Sequence, residues 1–168
     1  MFARLECAAR RRHTPVINHE DVMHPITLRS SFTGLVIATS LIWAAPAFAE
    51  TVSYKADLKG ASEVPPVTSK ATGTLTATYD TASKKLTWKG TYSDLSGEAT
   101  AAHFHGPAEA GKNAGVVVPI APAKSPMEGS ATLTDAQAAD LAAGKWYVNV
   151  HTAANKDGEI RGQVVKDK

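Results

Sequence analysis

From residue 51 onward the chain alternates apolar and polar positions with a period of two, broken at short intervals by glycine, proline and aspartate. "TVSYKADLKG" (Thr51 to Gly60) alternates loosely and is stopped by Pro65 and Pro66, which read as a strand break. "ATGTLTATYD" places Leu75 and Tyr79 on one side, and "KKLTWKGTYSD" places Leu86, Trp88 and Tyr92 together; "DTASKK" between them is a hairpin loop. "ATAAHFHG" and "GVVVPI" are the next two strands, and "SATLT" is a short edge strand. "KWYVNVHTA" and "EIRGQVVK" close the chain as a hairpin through "ANKDG", where Asp157-Gly158 favours a turn. One helix interrupts the strands: Thr134 and Gln137 have capping-box spacing, "DAQAADLAAG" supplies helix formers, and Gly144 stops it. Short strands separated by turns predict an all-β fold, an immunoglobulin-like or Greek-key antiparallel sandwich with one short helix before the last hairpin.

Face assignment then gathers the polar chemistry. Successive strand residues point to opposite sides. His103 and His105 therefore share a face against Phe104, and Tyr147, Asn149 and His151 share one against Trp146, Val148 and Val150. In the last strand Glu159, Arg161 and Gln163 oppose Ile160 and Val164. Uniting the apolar sides of the hairpin pairs odd positions with odd, so His151 faces Arg161 or Glu159. A slip of one residue would bury Arg161 and expose Trp146. Trp88 and Trp146 read as core.

The residues before Glu50 carry a different pattern. Phe32 to Trp43 is an apolar run, preceded by Arg29 and followed by Ala47-Phe48-Ala49, which reads as a secretory signal peptide over 23–49. The run falls short of the roughly 20 apolar residues a spanning helix needs. Met23 reads as the true start, with 1–22 a mis-assigned extension and 50–168 a single domain of a periplasmic or secreted protein. The whole chain has 18 basic and 16 acidic residues, but residues 50–168 hold thirteen of each. A neutral exported piece lacks the basic stripe that nucleic-acid binding requires. Cys7 is the only cysteine. It lies in the leader, so the exported piece forms no disulfide and has no cysteine for a lipid anchor.

Three histidines remain in residues 50–168, and they fall in two motifs. If the "HFH" strand lies beside the last hairpin, His103, His105 and His151 converge as a ligand set for copper or zinc. If it does not, they belong to a solvated polar face. Arg161 beside His151 opposes a bare cation unless Glu159 or Asp94 balances its charge. Nothing catalytic emerges: there is no G-x-S-x-G elbow, and "GPAEAGKNAG" lacks the ending of a phosphate loop. That segment reads as a mobile loop.

Three stretches, "LKGASEVPPVTSKATGTLTATYD", "TAAHFHGPAEAGKNAGVVV" and "LAAGKWYVNVHTAANKDGEIRGQV", together resemble the CHRD domain, named for chordin and found in bacterial secreted proteins. The most specific parts are H-x-H-G-P-A, with Gly106 and Pro107, and Y-V-N-V-H-T followed by G-E-I-R-G-Q, with Tyr147, Asn149, Glu159, Arg161 and Gly162. Phe104 stands where an aliphatic residue is more usual. The resemblance implies a β-sandwich and little about activity; with no catalytic constellation in the residues, the chain reads as a secreted binding or structural module whose partner is an extracellular or periplasmic protein or ligand. No cofactor is implied beyond the copper or zinc that the histidines would take. Copper/zinc superoxide dismutase is more loosely similar, but its two metals need six histidines and an aspartate, which three histidines cannot furnish.

Overall fold

The computed structural model describes residues 49–168; the expected extension over 1–22 and the apolar run of the expected signal peptide lie outside them. Eight strands follow the alternation: β1 (Thr51–Lys59), β2 (Thr72–Asp80), β3 (Lys85–Ser93), β4 (Ala99–His105), β5 (Val116–Ile120), β6 (Met127–Thr132), β7 (Trp146–Thr152) and β8 (Ile160–Lys166). Helix α1 (Asp135–Ala142) precedes β7. All eight pair antiparallel in the order β5-β4-β7-β8-β1-β2-β3-β6, with β5 and β6 at the edges.

The order divides the sheet into two halves that pack face to face. β1 meets β8 only at Tyr54↔Lys166, Lys55↔Val165 and Lys59↔Arg161, and between these points the ladder is interrupted. There the two strands come close enough that a Cβ on Gly162 would lie 2.5 Å from the carbonyl oxygen of Asp57. One half contributes Tyr54, Leu58, Leu75, Leu86 and Trp88 to the interior; the other contributes Phe104, Trp146, Val148, Val150, Ile160 and Val164. Trp88 and Phe104 meet edge to face across the middle, with ring centroids 5.2 Å apart, a geometry aromatic pairs favour. Both tryptophans assigned to the core are there, Trp88 and Trp146, each nearly inaccessible.

The helix begins as its sequence predicts. The Thr134 side chain accepts from the Gln137 amide, and the Gln137 side chain accepts from the Thr134 amide. Gly144, at φ 71°, takes the left-handed conformation that ends the helix. Leu141 is its one buried residue.

Alternation fails on the last hairpin. Every residue of β7 is buried, polar ones included, because its second face is roofed rather than solvated. The roof is made of the segments 60–71, 106–115 and 153–158. The loop expected to be mobile is tied down. Arg161 Nη1 donates to Asn113 Oδ1 (2.9 Å) and Nη2 to the Lys112 carbonyl, Gln163 donates to the Ala108 carbonyl, and the Ala114 amide donates to the Tyr147 hydroxyl. Long polar side chains on β7 and β8 meet the loop's otherwise unpaired backbone groups, which offsets the cost of burying both. Gly106 lets the loop leave β4 against Trp146, since a Cβ there would sit 2.7 Å from the indole; Pro107 follows it on the surface.

Candidate metal centre

β4 pairs directly with β7, and this adjacency joins the two histidine motifs. The register sets Ala101 opposite His151, His103 opposite Asn149 and His105 opposite Tyr147. All lie on the roofed face. One nitrogen from each of His103, His105 and His151 lies within 4.8 Å of the others. His103 Nδ1 is 3.2 Å from His151 Nε2. Metal–nitrogen bonds of about 2 Å place tetrahedral ligand nitrogens about 3.3 Å apart. The His103–His151 pair meets that spacing, and the third ring needs to close by up to about 1.5 Å, within reach of a side-chain torsion.

The roof fixes the rings. His105 Nδ1 is 3.0 Å from the Ala114 carbonyl and His151 Nδ1 is 2.9 Å from the Lys156 carbonyl. A carbonyl only accepts, so both rings carry a proton on Nδ1, and in a neutral ring that tautomer leaves the lone pair on Nε2. Ring tautomers held in this way are the usual outer support of a metal-bound histidine. His105 Nε2 is buried with no partner. Burial lowers the pKa of His103, and the neighbouring His151 and His105 lower it further. Burial also lowers that of His105, against which the Ala114 carbonyl pulls upward. Both effects favour neutral imidazole, the form that binds metal. The residues present therefore fit a cation of the copper or zinc type.

The other motif residues surround this set. Tyr147 sits on β7 with His105 stacked on it, the rings parallel within 3° and 4.8 Å apart, and with the Arg161 guanidinium carbon 3.3 Å from its ring centroid. Arg161 pairs across from Asn149, not from His151. Nor do the expected acids balance it. The Glu159 carboxylate turns away, because β8 begins only at Ile160. It accepts from the Ser96 amide and from the hydroxyls of Ser69, Ser96 and Thr152. Burial raises its pKa, yet these donors outweigh burial and hold it at about 2. Asp94 is exposed and accepts from the Ser93 hydroxyl.

Glu63 is the acid that faces Arg161. It is 5 % exposed, and burial pushes its carboxyl up to about 7 although Arg161 and Asn149 pull it down. Glu63 lies in the first of the stretches that carry the CHRD resemblance, but no periodic pattern around it, just before Pro65-Pro66, marks it for this role.

Among the described residues no helix is long and apolar enough to cross a membrane. Searches of curated proteins and of solved structures each returned no match to the chain. The CHRD domain family matches residues 54–164, which include β2 to β7 whole, most of β1 and β8, the three histidines and the polar residues around them. On that match the chain belongs to the CHRD domain family.

Proposed function

We propose that this chain is an exported metal-binding module that holds one copper or zinc ion on His103, His105 and His151 and carries out no reaction of its own. The observation that carries this reading is the convergence of three imidazoles, two with their Nδ1 protons committed to backbone carbonyls and one with a buried lone pair left without a donor. An unpaired buried polar group costs about 1–3 kcal/mol, and coordination would relieve it. Tyr147, Arg161 and Gln163 serve as braces that hold the roof over the ion. Export to the periplasm or beyond rests on the apolar run and Ala-x-Ala site of the leader. There the ion, or a protein that exchanges it, is the natural partner.

Elemental analysis of chelator-free full chain incubated with copper or zinc tests the reading. About one equivalent should remain after desalting, and His151→Ala should fall to background. Wild-type protein retaining less than about a tenth of an equivalent of either metal would sink it.

A further inference from the structure

Asn149 stands at the crossing of three elements. It pairs opposite His103 on β4 and opposite Arg161 on β8, so its side chain belongs to the roofed face, and it is 3 % exposed. Its amide has one consistent orientation. Nδ2 donates to the Asp157 carbonyl at 3.3 Å and lies against the Glu63 carboxylate. Gly158, at φ 130°, makes room for that contact, since a Cβ there would collide with both Glu63 Oε1 and Asn149 Nδ2. With the nitrogen held on that side, Oδ1 is the free end of the amide, on the face that Asn149 shares with His103 opposite it and His151 two residues along the strand.

Asn149 Oδ1 is buried and has no donor. On the same roofed face His105 Nε2 is equally without a partner, the ring's Nδ1 being turned to the Ala114 carbonyl. Two buried polar atoms on one roofed face are thus left without partners, an arrangement that is costly as it stands. A cation coordinated by both satisfies both. We propose that Asn149 Oδ1 is a fourth protein donor to the ion held by the three histidines, and that Glu63 is the positioning residue that turns the amide toward it. This rests on the metal-binding reading and gives the site a closed N3O donor set, of the four-coordinate kind expected where zinc is held rather than used.

Cobalt(II) is a suitable probe, because its visible bands are intense in a four-coordinate site and weak in five- or six-coordinate ones. The full chain, Asn149→Ala, Asn149→Asp and Glu63→Leu would be titrated with Co(II), and Zn(II) affinity read by competition. Asn149→Ala should bind at least tenfold more weakly, with weakened bands that respond to added azide at the vacated position. Asn149→Asp, which keeps an oxygen donor, should restore affinity with shifted bands. Glu63→Leu should lose affinity but keep four-coordinate bands. Wild-type affinity and bands in Asn149→Ala, alongside lost binding in His151→Ala, would overturn the role of Asn149 and leave the histidine site standing. No Co(II) or Zn(II) binding by the wild type would instead overturn the metal reading itself. Should Asn149→Ala fail to melt cooperatively, Asn149→Asp decides: bands identical to wild type would overturn the proposal.

Discussion

Glu63 and Glu159 are both buried carboxylates, and their surroundings drive them in opposite directions. Glu159 is surrounded by hydroxyl and amide donors; at Glu63 burial works against the charge and outweighs the Arg161 guanidinium, the Asn149 amide and the Val64 backbone that favour it. A carboxyl whose pKa is raised on folding contributes stability that is complete below its unfolded value and is lost as pH rises through the folded one. For Glu63 that window runs from about 4.5 to about 7. Histidines with lowered pKa act in the opposite sense, losing stability as pH falls, so a difference measurement is needed. The stability of Glu63→Gln relative to metal-free wild type should therefore rise between pH 5 and pH 8, by no more than about 3 kcal/mol. Denaturant unfolding at the two pH values checks this, and a flat difference would contradict it. For Glu159 the window lies lower, with stability lost as pH falls from 4.5 toward about 2. Neither behaviour is legible in the sequence. Glu63 lies outside every periodic segment, and Glu159 reads as a strand residue only because the alternation of β8 extends one position too far.

At the scale of elements the sequence is far more explicit. The capping box, the glycine stop and the strand faces of β2 and β3 all appear where side-chain chemistry puts them, because each depends on neighbours a few positions away. Thr134→Ala removes a cap and should cost about 1 kcal/mol, measured by chemical denaturation. Gly162→Ala should cost more, about 1–3 kcal/mol, because the added methyl meets the backbone of Asp57 rather than a side chain that can move aside. Alternation also predicts the shared face of Tyr147, Asn149 and His151. It cannot predict that this face is covered, since the cover comes from loops whose paths have no period.

For the molecule as a whole, the decisive fact is the placing of β4 beside β7. Forty-odd residues separate the two histidine motifs, and no local rule says which strands become neighbours; the ligand set was therefore legible as types and faces but not as a site. The same adjacency makes the loop at 106–115 dependent on β8. Arg161→Met should release it, so amide hydrogen exchange at 108–114 should quicken while the exchange of β2 and β3 stays slow. Unchanged protection of the loop would show that Arg161 does not hold it. The rings of His105 and His151 are steadied by the carbonyls of Ala114 and Lys156, and every amino acid carries a carbonyl. On the proposed metal reading, side chains at 114 and 156 can thus be rewritten with little effect on ion affinity. A single inserted residue in either loop, which would shift the carbonyl off its imidazole, should loosen the grip without touching a ligand.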